Sequence, residues 1–186
     1  TLGASTPYLE NVWLKANRLE GEIPATLFQS GRLKWVDLHV NRLTGSLPYI
    51  AENPDLAVLR LEENNLSGLL PDSLFHLSGL TELYLHENQF SGPLSAEIAK
   101  LSQLQHLFLG RNTFSGPLPQ EIGSLNNLIS LRLEYNYFSD EIPESLATLP
   151  NLQVLRFDHN LLTLPAPQEL LQKQNRYQVF ELSDNP

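Results

Sequence analysis

Cysteine and methionine are both missing from this chain of 186 residues. Without a thiol there is no disulfide framework, no thiolate metal site and no cysteine nucleophile. An encoded chain begins with methionine, so the lack of any points to a processed product or a piece of something longer. Positive charge is scarce as well, with 12 Lys+Arg against 21 Asp+Glu for a formal net charge of -9. Nucleic acid and anionic membranes both require a positive patch, and no basic cluster supplies one. No apolar run approaches the ~20 residues that span a bilayer, so direct membrane insertion is not expected. Residues 1–20 lack the charged-then-apolar pattern of a secretory signal, although a leader already removed leaves no trace. What remains, 41% hydrophobic and 18% charged, is the composition of a folding chain.

What is present is a period. The frame L-x-L-x-x-N recurs as VWLKAN, VDLHVN, LRLEEN, LYLHEN, LFLGRN, LRLEYN, LRFDHN and FELSDN. Its asparagines are Asn17, Asn41, Asn64, Asn88, Asn112, Asn136, Asn160 and Asn185, spaced by 24, 23, 24, 24, 24, 24 and 25 residues. A fixed period in this range decides the architecture before any local reading. Side chains alternate along a strand, so Leu83 and Leu85 are predicted to point inward while Glu82, Tyr84 and His86 point outward. The inward leucines of one repeat can be buried only by its neighbours, which makes stability a sum over repeat interfaces. The asparagine amide offers donors and an acceptor, suited to backbone groups left bare where the chain leaves the strand. The asparagine ladder is therefore read as structural.

After each asparagine come RLEGEIP, RLTGSLP, NLSGLLP, QFSGPLS, TFSGPLP and YFSDEIP, a frame of the form x-L/F-x-G-x-I/L-P. With these residues the chain resembles the plant-specific type of leucine-rich repeat found in receptor-kinase ectodomains and polygalacturonase-inhibiting proteins, and in some bacterial proteins. The resemblance implies an α/β solenoid, a right-handed superhelix with a concave parallel β-sheet, short lateral strands at its edge, and short helices or 3-10 turns on the convex side. Residues 1–186 then form one domain of seven to eight repeats of ~24 residues. Gly21, Gly45, Gly68, Gly92 and Gly116 suit a tight turn, and the following proline ends an extended segment. Phe90, Phe114 and Phe138 share one interior column and are expected to stack as a core spine. PDSLFHLSGL and PQEIGSLNNL carry apolar residues at helical offsets and should supply convex turns.

Several features depart from that pattern. The cysteine-bearing caps usual in the family are missing, residues 1–9 read as the convex half of an earlier repeat, and Pro186 directly follows the eighth asparagine. Both ends thus fall inside a repeat, and a fragment of a longer protein is expected. Asp140 stands where a glycine belongs, Ser95 where a proline belongs, and NLLTLPAP has no glycine, so the lateral strand is expected to weaken or change course there. One N-glycosylation acceptor occurs, Asn65-Leu66-Ser67. With the lack of cysteine, this points away from a heavily glycosylated plant receptor and toward a bacterial or otherwise atypical member.

The outward strand positions carry whatever information is specific to this chain. Four residues before each asparagine stand Trp13, Asp37, Arg60, Tyr84, Phe108, Arg132, Arg156 and Glu181; two before it stand Lys15, His39, Glu62, His86, Gly110, Glu134, Asp158 and Ser183; six before it stand Asn11, Trp35, Val58, Glu82, His106, Ser130, Val154 and Val179. Eight strands at ~4.8 Å spacing make a face about 34 Å along its axis, enough for a peptide or oligosaccharide. Trp13, Trp35, Tyr84 and Phe108 are candidate anchors, since exposed aromatics are frequent hot spots; packing of Trp13 beneath a missing earlier repeat fits equally. The pairs Arg60/Glu62, Arg132/Glu134 and Arg156/Asp158 read either as solvated salt bridges or as forks ready for an acidic group. His39, Glu62 and His86 are consecutive in one column, but flat strands hold them too far apart for tetrahedral closure, so no metal site is predicted. G-x-S-x-G, H-E-x-x-H and phosphate-binding glycine loops are missing, and acidic pairs such as Glu62-Glu63 are expected on open, solvated sheet, where no carboxylate is tuned for acid catalysis.

The sequence therefore predicts a non-enzymatic recognition module, without cofactors, that binds a protein or peptide through its concave face. Its predicted contact residues are Trp13, Trp35, Arg60, Tyr84, His86, Phe108, Arg132 and Arg156. The resemblance places it outside the cell or at its surface, with an intracellular location as the alternative. Two rival readings are a carbohydrate-binding or adhesive module stacking sugars on Trp13 and Trp35, and a spacer or substrate-recruiting region of a larger enzyme.

Overall fold

A computed structural model describes residues 8–186; the first residues of the segment 1–9, read above as part of an earlier repeat, lie outside the described residues. Each repeat contributes a strand of only three residues to a parallel sheet of eight, in chain order: β1 (Asn11–Trp13), β3 (Trp35–Asp37), β5 (Val58–Arg60), β7 (Glu82–Tyr84), β9 (His106–Phe108), β11 (Ser130–Arg132), β13 (Val154–Arg156) and β15 (Val179–Glu181). A second parallel sheet holds the lateral strands β2 (Glu20–Glu22), β4 (Arg42–Gly45), β6 (Asn65–Gly68), β8 (Gln89–Gly92), β10 (Thr113–Pro117), β12 (Tyr137–Glu141) and β14 (Leu161–Thr163). The convex side carries 3-10 turns at Ala25–Gln29, Asp72–His76, Ala96–Lys100, Gln120–Ser124 and Glu144–Thr148, then the short helix α1 (Gln168–Gln172).

Between the two sheets and the turns runs one continuous core. Leu83 and Leu85 are fully buried, as are their equivalents Leu107, Leu109, Leu131 and Leu133. The phenylalanine spine forms as expected: the Phe90 and Phe114 rings stack at 6.3 Å and the Phe114 and Phe138 rings at 5.9 Å, all three without exposure. The ladder works through both ends of each amide. Asn112 donates from Nδ2 to the Leu85 and Leu109 carbonyls at 3.0 Å and accepts at Oδ1 from the Phe90 amide at 2.9 Å, and so ties its repeat to the preceding one.

The ladder also imposes a backbone conformation that no residue type announces. The position before the asparagine holds φ between 52° and 56° at Ala16, Val40, Glu63, Glu87, Arg111, Tyr135, His159 and Asp184. This left-handed region costs L-residues roughly 1–2 kcal/mol each. The turn is held because the asparagine clamps the carbonyls before it, for instance Asn88 Nδ2 on Leu85 and His86. Exposed side chains of this column line a ridge: Glu87 reaches Arg111 at 3.9 Å, Arg111 covers the Tyr135 ring at 4.3 Å, Tyr135 stacks on His159, and His159 Nε2 lies 3.4 Å from Asp184.

Two expectations about departures need correction. Asp140 does not weaken the lateral strand: it takes φ 63°, the left-handed role its glycine counterparts fill, and β12 runs unbroken with partners on both sides. At the equivalent positions Gly21, Gly45, Gly68, Gly92 and Gly116 hold φ between 77° and 82°, a region that glycine enters without steric cost. Ser95 substitutes for proline by a different route, its hydroxyl capping the following turn by accepting from the Glu97 amide at 3.2 Å. The repeat that is one residue short, between Asn41 and Asn64, has no convex 3-10 turn. There Asn53, 1% exposed, accepts from the Leu33 amide and donates to the Phe28 and Ala51 carbonyls, replacing the missing hydrogen bonds.

Candidate functional site

The middle of the eight-stranded sheet carries a layered stack built by strand register. Arg60, Tyr84, Phe108 and Arg132 are in-register neighbours on β5, β7, β9 and β11. The Tyr84 and Phe108 rings meet edge to face at 4.7 Å, the Arg60 guanidinium lies 4.9 Å from the Tyr84 centroid, and Arg132 lies 4.7 Å from that of Phe108. Two cations thus bracket two rings, an arrangement in which each ring face attracts its neighbouring charge. His106 stacks on Tyr84 at 6.5 Å, and His86 presents its edge to Phe108 at 6.0 Å. Burial pushes the Tyr84 phenol up to about 12, helped by Glu82 beside it, so the ring is a neutral hydrogen-bonding surface.

Beside this row the acidic residues are not the solvated partners expected from the sequence. Glu62 is 2% exposed and Asp158 3% exposed. Glu62 Oε1 accepts from Arg60 Nε at 3.0 Å and from its terminal nitrogen at 2.6 Å, while Asp158 takes Arg156 at 3.2 Å. The carboxylates are covered, while each arginine keeps 32% of its side-chain surface exposed. Burial works against the charge on Arg60 and Arg156. The attraction of Glu62 for the first, and of Glu134 and Asp158 for the second, outweighs it and holds both guanidinium groups above their ordinary values. The third pair does not form: Arg132 lies on Phe108, and Glu134 instead approaches Arg156 on the next strand at 3.7 Å. His39 turns chiefly to Asp37, its Nδ1 2.5 Å from that carboxylate and 3.9 Å from Glu62 Oε1. Among the described residues no group of three acidic or histidine side chains is arranged to hold a metal.

Five of the eight predicted contact residues, Arg60, Tyr84, His86, Phe108 and Arg132, come together around one hollow of about 390 Å³. Trp13, Trp35 and Arg156 lie outside it. Trp13 is freely exposed at 65%, whereas Trp35 is half-buried with its indole N–H enclosed and unpartnered. Val58 and Ser130, placed by alternation on the open face, are in fact buried. Glu134, read from the sequence only as the partner of Arg132, and Gly110, given no role there, also line the hollow. The signal for Gly110 was available, since it is the one residue of its column with no side chain.

Comparison with known proteins fits this architecture. A leucine rich repeat model matches residues 31–90 and 54–114, and a second one residues 127–149. A probable LRR receptor-like serine/threonine-protein kinase of Arabidopsis thaliana is 38% identical over 73 residues, 39% of this chain and 8% of that one. The receptor-like protein CLAVATA2 of the same plant is 42% identical over 55 residues, 30% of this chain and 8% of its own length. Among solved structures, the Arabidopsis receptor kinase HAESA in complex with the peptide hormone IDA and the co-receptor SERK1 superposes with a TM-score of 0.93 at 37% identity, covering 99% of this chain and 31% of that one. A leucine-rich repeat protein of Leptospira interrogans superposes with a TM-score of 0.81 at 33% identity, over 96% of this chain and 44% of that one. The chain spans 8% of each of these two curated relatives. Among the described residues no helix is long and apolar enough to cross a membrane.

Proposed function

The chain belongs to the leucine-rich repeat family, and from that premise we propose that it is a non-enzymatic recognition module whose concave face binds a protein or peptide partner outside the cell or at its surface. The observation that carries this reading is the bracketed stack Arg60–Tyr84–Phe108–Arg132, half-buried and rigid in the middle of an otherwise fold-committed surface. Rings already locked by their neighbours lose little freedom on binding, which is what makes aromatic and arginine side chains effective anchors. The receptor ectodomain of similar fold, solved with a peptide hormone, supports a peptide as the partner class. Trp13 extends the face at one end and Arg156 at the other. The test is the double variant Tyr84→Ala/Phe108→Ala. Partner binding should fall by at least roughly thirtyfold, as expected for hot-spot residues, while the far-ultraviolet spectrum stays that of the folded array. Undiminished binding in that variant, or recovery of a glycan that displaces the partner, would remove this reading.

A further inference from the structure

We propose that the hollow at Gly110 is a socket for one basic side chain, lysine or arginine, of a peptide bound along the concave face. This rests on the recognition reading above and adds to it the chemistry of one ligand position. The socket exists because Gly110 interrupts a column in which His39, Glu62, His86, Glu134 and Asp158 all project side chains. Its floor is the glycine backbone, and a Cβ there would stand 2.9 Å from Glu134 Cδ, so the carboxylate already leans over the gap. Tyr84, His86 and Phe108 wall it with aromatic surface, which accommodates both an aliphatic stem and a cation.

The polarity of the socket follows from which groups lack partners. Glu134, with a side chain only 13% exposed, has its closest cation 3.7 Å away, and that cation, Arg156, is shared with Asp158. Its Oε2 has no hydrogen-bond partner within the protein. Glu62, buried to 2% exposure, spends Oε1 on Arg60 and leaves Oε2 without a partner. His86 Nδ1 and Arg132 Nε are likewise unpartnered. Of the charged residues lining the hollow, Glu62, Glu63 and Glu134 oppose Arg60 and Arg132, one negative charge in excess. The Arg60 charge is already matched by Glu62, and the Arg132 guanidinium sits over Phe108; the carboxylate facing the hollow with the weakest match is that of Glu134, which has only Arg156, shared with Asp158. A buried acceptor left in this state is costly, and a donor-rich cation relieves it. Burial holds the His86 imidazole below its usual value, which keeps it uncharged beside an incoming cation.

The experiment selects a displayed library of random peptides on the 186-residue chain and measures dissociation constants of the synthesised winners by calorimetry. Peptides should share one lysine or arginine whose replacement by norleucine weakens binding roughly tenfold or more, the scale of close charge pairs at interfaces. Glu134→Gln, which preserves shape, should lose the same factor, with no further loss when both changes are combined. Gly110→Gln, which fills the socket and crowds the Glu134 side chain, should reject these peptides while the far-ultraviolet spectrum stays that of the folded array. Peptides that need Tyr84 and Phe108 but show no basic position, or whose basic position is indifferent to Glu134→Gln, overturn the socket and leave the concave-face reading standing. Winners indifferent to Tyr84→Ala and Phe108→Ala, or no winners at all, remove both.

Discussion

Tyr135 and His159 stack face to face with ring centroids 4.0 Å apart and planes 18° from parallel, and both hold their backbone at φ 56°. The contact is possible because the two residues occupy equivalent turns, one repeat apart, where the chain swings from the concave sheet toward the lateral one. The same turn recurs in every repeat whatever residue fills it. Its conformational strain is paid wherever the residue has a branched side chain with nothing to pack against.

Val40 is that case, an exposed β-branched residue at φ 54°. Asparagine tolerates this region far better than valine does. Val40→Asn should stabilise the array by about 1 kcal/mol and raise the melting temperature by roughly 2–4 °C, read by calorimetry. An unchanged or lowered midpoint would show that Val40 gains packing that offsets its backbone.

Asn112 bonds one amide and three carbonyls, and it is 7% exposed. Asn112→Ala leaves the buried Phe90 amide without its acceptor, while the Leu85 and Leu109 carbonyls keep the Asn88 and Asn136 amides, and should cost about 1–3 kcal/mol in urea denaturation. Asn17 bonds the Leu14 and Lys15 carbonyls in an exposed setting where water can replace it. Asn17→Ala should cost less than about 1 kcal/mol. Equal losses at the two sites would contradict a gradient of burial along the ladder.

Phe114 is the middle ring of the spine. Phe114→Ala should cost about 3–5 kcal/mol. Because each repeat is stabilised mainly by its neighbours, the damage should be local and uncouple the two halves of the array. Both tryptophans, Trp13 and Trp35, lie in the first two repeats and report that end alone. Their fluorescence should coincide with the circular dichroism transition in the parent and separate from it in the variant; coincidence in both would mean one cooperative unit.

His86 carries the pH dependence. Its folded pKa lies below the ordinary histidine value because burial disfavours the imidazolium, so in the acidic window beneath that ordinary value the unfolded chain binds more protons than the folded one. Stability contributed by the neutral ring is therefore present above that window and lost as the pH falls through it. His86→Gln should flatten part of the decline in unfolding free energy between about pH 7 and pH 5. Parallel pH profiles for parent and variant would rule the residue out as the source.

The repeat frame, the inward leucines, the phenylalanine spine and the lateral strands could be read directly because each is a residue type recurring at a fixed interval. The left-handed column could not. Ala16, Val40, Glu87 and Tyr135 share no local preference, and their conformation is set by the amide that follows them. Asn53 was hidden for the opposite reason, as the substitute in a unit one residue short. At the candidate site, alternation placed Tyr84, His86 and Phe108 correctly on one face. It gave no account of depth: Glu62, Val58 and Ser130 are covered by side chains of adjoining strands, a matter of which residues stand next door a full repeat away. Of the three arginine pairs, Arg60/Glu62 and Arg156/Asp158 form, whereas Arg132 found a ring on β9 before its own acid.

Each ladder asparagine from Asn41 onward joins its repeat to the one before it, as Asn88 does through the Leu61 carbonyl and the Leu66 amide. Nothing in that scheme measures how many repeats there are. Gain or loss of one unit of ~24 residues would leave the ladder bonding of the other repeats in the same pattern. An insertion between Phe108 and Arg132 would carry the arginine one strand further from the ring while leaving both repeats intact. The recognition proposed for this face is thus open to revision by length as well as by substitution, a route to new partners closed to domains whose first and last elements must meet.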